Sequence, residues 1–256
     1  MSSQSKQSNL LVKVPAVTAF FWIIKVLATT VGETFADFIN TKLNLGLTNT
    51  SIILGSALLV ALVIQFASKK YIPAIYWICI VLVSIAGTLI TDNLTDNLSI
   101  PLWQSSLGFA LVLGVVFGVW FAQERTLAMK SIISKKRETF YWLAILFTFA
   151  LGTATGDWLA EVAGLGYGLS AVAYGGAILL VAILWRTGVL SEIAAFWIAY
   201  ILTRPLGASI GDLLAQDKSV GGLGLGTTTT SIIFLAAILA CVIYLSVSKK
   251  DELSAE

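Results

Sequence analysis

Eight apolar stretches, separated by short polar breaks, set the narrowest limit on what this chain can fold into. They run over residues 14–39, 48–68, 71–92, 103–123, 139–160, 168–186, 190–213 and 228–248. A bilayer core is crossed by about 20 helical residues, and backbone placed in hydrocarbon must satisfy its own hydrogen-bonding groups. The pattern therefore predicts an all-α polytopic integral membrane protein with eight transmembrane helices. Composition agrees: the 256 residues are 57% hydrophobic and 12% charged, with a mean hydropathy of +0.90, whereas a soluble domain carries about 25% charged residues. The length leaves no room for a soluble catalytic domain. Histidine is absent, and Cys79 and Cys241 lie far apart within apolar runs. Haem ligation through His, zinc fingers, His-based proton relays and a disulfide framework all lose their raw material. No cofactor is expected.

The polar leader Met1 to Asn9 has no small-residue cleavage site, so the first run reads as a retained helix rather than a signal peptide. Lys6, Lys13, Lys69, Lys70, Arg125, Lys130, Lys135, Lys136, Arg137, Arg186, Lys249 and Lys250 all fall on the side of the two termini, and the opposite loops hold only Lys42 and Lys218. By the positive-inside rule both termini are expected in the cytoplasm.

A search for self-similarity finds one pattern four times. The pairs Phe21-Trp22, Tyr76-Trp77, Tyr141-Trp142 and Phe196-Trp197 are each followed by a glycine ten residues after the Trp (Gly32, Gly87, Gly152, Gly207) and an aspartate fifteen after it (Asp37, Asp92, Asp157, Asp212). The Trp-to-Trp steps are 55, 65 and 55 residues. Each unit holds two apolar runs, so the chain returns to its starting side and all four units share one orientation. They are expected to be parallel two-helix repeats about a pseudo-symmetric axis along the membrane normal, not an inverted pair. The division is a tail at 1–12, repeats at 13–70 and 71–128, a basic connector at 129–137, repeats at 138–187 and 188–248, and a tail at 249–256.

With these repeats, the segments KVLATTVGE (25–33), GTLITDNLTDN (87–97) and TRPLGASIGD (203–212) resemble the bacterial "repeat of unknown function" membrane proteins, often labelled uncharacterised membrane-anchored proteins. The resemblance covers Lys13 to Lys250. It implies a multi-pass protein of the bacterial cytoplasmic (inner) membrane built from four two-helix repeats, and it supplies neither an activity nor a site.

Candidate site residues come from helical periodicity. Steps of four keep side chains near one face, giving one row per odd-numbered helix: Lys25, Thr29, Glu33, Asp37, Thr41; Ile80, Ser84, Thr88, Asp92, Asp96; Ile145, Phe149, Thr153, Asp157, Glu161; and Tyr200, Arg204, Ala208, Asp212, Gln216. Four such stripes around one axis predict an acidic, outward-facing cavity whose substrate-binding residues are Glu33, Asp37, Asp92, Asp96, Asp157, Glu161 and Asp212. These same carboxylates would hold any metal. A solvated membrane edge is the plainer reading of the aspartates, but each sits at a helix C-terminus, where the macrodipole disfavours a carboxylate by about 0.3–1 kcal/mol.

Lys25 and Arg204 carry charge near the bilayer centre at a cost of at least ~2.5–3.5 kcal/mol each. Each is expected to face inward with a partner, as half of a buried ion pair or as a movable counter-charge. Pro205 is expected to break the helix beside Arg204 and free backbone carbonyls. Trp22, Trp77, Trp142 and Trp197 fit either an interfacial belt or packing between repeats, and Gly32, Gly87, Gly152 and Gly207 fit close helix approach. The glycine-rich segment 221–226 before the last helix lacks a Gly-Lys-Ser/Thr ending and a preceding strand, so a nucleotide site is rejected. Gly46 and Gly166, with Pro101 in the second repeat, each lie nine residues after a repeat Asp and read as helix-start punctuation.

Three functions fit these residues. The first is a transporter or channel for a hard cation such as Mg²⁺, Mn²⁺, Ca²⁺, Na⁺ or H⁺, favoured by oxygen-only ligands. The second is a transporter of an anionic or zwitterionic solute bound by Lys25 and Arg204. The third is a non-transporting scaffold or sensor. An enzyme is not expected, since no Ser/His, Cys/His or metal-His arrangement exists. The expected partners are the lipid bilayer and an ion or small solute, not nucleic acid.

Overall fold

The computed structural model describes residues 12–251; the leader with Lys6, and the end of the C-terminal tail, lie outside the described residues. Eight helices are long and apolar enough to cross a membrane: α1 (Ala19–Asp37), α2 (Gly46–Ala67), α3 (Pro73–Asp92), α4 (Leu102–Glu124), α5 (Lys135–Asp157), α6 (Gly166–Arg186), α7 (Glu192–Ala215) and α8 (Thr227–Ser248).

The odd helices begin on recognisable start signals. Thr18, Ser134 and Ser191 accept a hydrogen bond from the backbone N–H three residues on, and Pro73 opens α3 where its missing N–H costs nothing. Gly46 and Gly166 start α2 and α6 with φ of +74° and +72°, a backbone region that disfavours side chains with a Cβ. Pro101 caps the start of α4. The punctuation read from the repeat spacing is thus where the chain turns.

Burial separates the helices into two sets. Between 50% and 61% of the core window of each odd helix is buried, against 11% to 28% of each even helix. The odd helices form a closed inner ring, in which α1 packs on α3, α3 on α5, α5 on α7, and α7 back on α1. The even helices flank this ring with apolar side chains outward, such as Leu59, Val115, Val172 and Leu239.

The two helices of a repeat are not each other's packing partners. Instead α2 lies on α3, α4 on α5, α6 on α7 and α8 on α1. Each repeat therefore buries its outer helix against the inner helix of the next repeat, and the last closes onto the first.

The recurring sequence pattern is the contact pattern of this ring. Phe21 meets Trp77, Tyr76 meets Trp142, Tyr141 meets Trp197 and Phe196 meets Trp22, with ring centroids 5.7, 5.7, 6.3 and 5.7 Å apart. Trp77, Trp142 and Trp197 are buried, which makes the tryptophans packing residues between repeats. Two to three helical turns further along, a Cβ on Gly32 would overlap the Ser84 side chain, one on Gly87 would overlap Phe149, one on Gly152 Arg204, and one on Gly207 Thr29.

Pro205 lies inside a continuous α7, so the expected break is absent. The Thr203 carbonyl accepts from the Thr29 hydroxyl at 3.2 Å across the α1–α7 seam. That contact joins α1 to α7 beside the proline, whereas the carbonyl that loses its helical N–H donor to Pro205 is that of Ile201, four residues back.

Alanine at Gly87 or Gly207 should lower the thermal midpoint of the detergent-purified protein by the equivalent of about 1–3 kcal/mol, the usual cost of overpacking. Gly55→Ala, where nothing lies within 4 Å of the new Cβ, should change stability by less than about 0.5 kcal/mol.

Candidate functional site

The C-terminal ends of the inner helices surround a pocket of about 220 Å³ lined by Glu33, Asp37, Asn40, Asp92, Thr95, Asp96, Leu102, Asp157, Glu161, Asp212 and Gln216. All seven carboxylates expected from the sequence rows are among them. They are layered by depth: Glu33 and Asp212 are buried, Asp37, Asp92 and Asp157 are half-buried, and Asp96 and Glu161 are exposed at the rim. Carboxylate oxygens of Glu33, Asp157 and Asp212 lie within 4.8 Å of one another, close enough to share one metal ion. These three come from the first, third and fourth repeats.

Local backbone shapes the rim. Immediately after Asp37, Asp92 and Asp157 the helices widen into π turns, Phe38–Lys42, Asn93–Asn97 and Trp158–Val162. Such turns are rare and recur at functional sites. Asp96 and Glu161 ride on two of them, and Tyr167 donates to Glu161 Oε1 at 3.3 Å. In the fourth repeat α7 instead ends at Ala215, and Gln216 takes the rim position. The Thr41 side chain lies outside the described residues.

Below the aspartates the pocket is closed by Arg204. Its side chain is fully buried; Nη2 donates to Glu33 Oε2 at 2.8 Å and to the Thr88 hydroxyl, and Nη1 donates to the Thr29 carbonyl at 3.3 Å. The guanidinium thus ties α7 to α1 and α3, and Gly152 on α5 leaves the space its stem occupies. Of the two intramembrane cations expected to find a carboxylate, Arg204 has one.

Lys25 does not. It is fully buried with Nζ 4.0 Å from the Phe149 ring centroid and 4.1 Å from that of Tyr200, and among the described residues Nζ has no hydrogen-bond partner. The expected pairing fails because Arg204, one turn nearer the pocket, already occupies Glu33. Nζ lies over the faces of two aromatic rings instead.

Several polar contacts were not foreseen. At the end of the bundle opposite the pocket, Lys13 Nζ donates to Glu138 Oε2 at 2.7 Å and to the Phe66 carbonyl at 3.1 Å, and Gln65 donates to Glu138 Oε1 at 3.1 Å. Lys13 is thus a buried ion-pair partner as well as one of the basic residues at this end. Glu138, the acid that directly follows the basic connector, is the clue that sequence offers. Tyr71 donates to Asp251, and burial together with that bond pushes the Tyr71 phenol up from its ordinary value, so its proton stays in place as the donor. Tyr76 and Tyr141 share a hydroxyl hydrogen bond in the core.

Arg204→Met should destabilise the protein by about 3–5 kcal/mol because it leaves Glu33 buried without its partner. Adding Glu33→Gln should restore a substantial part of that loss, as read from denaturation midpoints in a double-mutant cycle.

No curated protein and no solved structure matches the chain. The family "Repeat of Unknown Function (DUF347)" matches four times, at residues 20–71, 75–126, 140–187 and 195–251. The four matched segments each hold one aromatic pair, one seam glycine and one pocket aspartate, and the chain belongs to this repeat family.

Proposed function

We propose that this protein is a multi-pass transporter of the bacterial cytoplasmic membrane that binds a hard cation in an acidic, outward-facing pocket. In this reading both termini are cytoplasmic and the four repeats stand about a pseudo-symmetric axis along the membrane normal. The observation that carries it is the convergence of seven carboxylates, drawn from all four repeats, on one pocket.

Three features support the cation over other cargo. The donors are oxygens, which suit Mg²⁺, Mn²⁺, Ca²⁺ or Na⁺. Glu33, Asp157 and Asp212 approach closely enough to share an ion. An anionic solute entering from the pocket side would meet the carboxylates before it met Arg204, whose guanidinium is already engaged by Glu33, or Lys25, which lies beyond it. The closed floor favours a carrier over an open channel, since Arg204, Phe149, Tyr200 and Lys25 are all fully buried beneath the pocket. The side assignment rests on the basic residues, which gather at the opposite end of the bundle.

In detergent, a hard cation, with Mn²⁺ as the first probe, should raise the thermal midpoint in a saturable way, since a ligand at 100 times its Kd adds about 2.7 kcal/mol of stability. Asp157→Asn and Asp212→Asn should each weaken binding at least tenfold, or about 1.4 kcal/mol, while Asp96→Asn at the exposed rim should weaken it by only about twofold. Protons compete with the ion for the same carboxylates, so binding should weaken as pH falls. No response to Mn²⁺, Mg²⁺, Ca²⁺ or Na⁺ at neutral pH would remove the reading.

A further inference from the structure

The seams between the inner helices are not all filled alike. In the first three repeats the outer helix starts nine residues after the pocket aspartate, so Gln65, Trp120 and Trp185, each 28 residues after it, hold one position. Gln65 is buried and donates to Glu138. Trp120 is fully buried, stacked on Phe140 of α5 with ring centroids 6.2 Å apart and edge-on to Trp197 of α7 at 5.9 Å. Trp185 is 46% exposed.

Sequence explains the difference. Phe140, the ring under Trp120, stands two residues before a repeat tryptophan, and the matching position on α7 is Ala195. Trp185 thus lacks the ring that holds Trp120 in place, and a cavity of about 890 Å³ stands at the α7–α1 seam, lined by Ala195, Trp185 and Trp22 among others. Trp22 is the one repeat tryptophan that is only half-buried. Its volume lies within the range of ligand pockets, about 300–1,000 Å³. Correspondingly, α6 is the least buried of the outer helices, with 11% of its core window covered.

The cavity has the shape and chemistry of an amphiphile site. It follows α7 from Glu192 to Leu206, 14 residues or about 21 Å, which is about half the thickness of a bilayer with its headgroups. Exposed Val17, Ala182 and Ile193 border it, so it is open to its surroundings, which in a membrane-spanning bundle are acyl chains. Its charged lining residues are Lys130 and Glu192. Both are exposed at the basic end, and neither is in an ion pair among the described residues. An apolar slot with one charge of each sign at its mouth matches a zwitterionic lipid.

We propose that this cavity binds one phospholipid with an amine-bearing head from the leaflet at the basic end, its acyl chain along the α7–α1 seam, its phosphate on Lys130 and its ammonium toward Glu192. The proposal needs the membrane-spanning reading of the helices and is independent of the cation reading. The chain supplies at this seam the packing that Trp120 supplies at the α5–α7 seam. Thr203 lines the cavity, and its carbonyl accepts the Thr29 hydroxyl across the same seam, so the lipid covers the joint where the last repeat closes onto the first. A purely anionic head would set a like charge beside Glu192, which electrostatic complementarity disfavours.

The test titrates palmitoyl-oleoyl phosphatidylethanolamine into the delipidated, detergent-purified full-length protein and counts bound lipid by native mass spectrometry. One saturable lipid per chain is expected, together with a raised thermal midpoint. Ala195→Phe installs on α7 the ring that α5 carries as Phe140, so Trp185 should fill the slot and lipid binding should weaken at least tenfold in a protein that still folds. Lys130→Gln, at an exposed position, should weaken binding about fivefold, the upper worth of an exposed ion pair. Phosphatidylglycerol with the same chains should bind more weakly than phosphatidylethanolamine. Lipid that adds only as an unsaturable background, wild-type affinity in either variant, or phosphatidylglycerol that binds as tightly overturns the proposal, as does a dimer that buries the cavity with no lipid bound. None of these results bears on Mn²⁺ binding in the acidic pocket, so the two readings stand or fall separately.

Discussion

Four seams in which a glycine on one inner helix faces a side chain of the next set the spacing of the whole bundle: Gly32 on Ser84, Gly87 on Phe149, Gly152 on Arg204 and Gly207 on Thr29. Helices in a membrane gain little from hydrophobic exclusion, and close packing with polar contacts across the seam takes its place. At the α1–α3 seam Thr88 donates to the Gly32 carbonyl at 3.3 Å, at α3–α5 Thr91 donates to the Ala150 carbonyl at 3.1 Å, and at α7–α1 Thr29 donates to the Thr203 carbonyl at 3.2 Å. Because each seam glycine precedes its pocket aspartate by five residues, drawing the seams together also draws the aspartates together. Packing and the acidic pocket are one construction.

That construction concentrates charge where charge is expensive. Carboxylates gathered at helix C-termini are opposed by the macrodipole and by one another, and the fold provides a single guanidinium within bonding reach, Arg204 on Glu33. The other buried basic side chain of the inner ring, Lys25, is held apart from the carboxylates by its aromatic cage. A protein seeking only stability would do better with an apolar core of similar volume. Retention of this arrangement is consistent with the cation role proposed above.

Much of this was legible in the sequence for a simple reason: the same pattern is read four times, so register errors cancel. The eight apolar runs, the inward position of the odd helices and the convergence of Glu33, Asp37, Asp92, Asp96, Asp157, Glu161 and Asp212 all follow from helical period and repeat spacing. What periodicity could not reveal was which helix an outer helix covers, because α2 on α3 and α2 on α1 use the same apolar face pattern. It also could not decide between Lys25 and Arg204 for Glu33. The two lie at adjacent depths on adjacent helices, and the choice depends on the reach of a planar guanidinium across a glycine seam. The break expected at Pro205 is absent because an internal proline removes a single hydrogen bond, at the Ile201 carbonyl, and α7 continues through it.

The central claim, that four repeats build one cation site, is tested most directly by locating the ion itself. Crystals of the full-length protein grown with Mn²⁺ and measured at the manganese absorption edge should show one anomalous peak between the carboxylates of Glu33, Asp157 and Asp212. An empty pocket at saturating Mn²⁺, or a peak held only by rim residues of a single repeat, would contradict it.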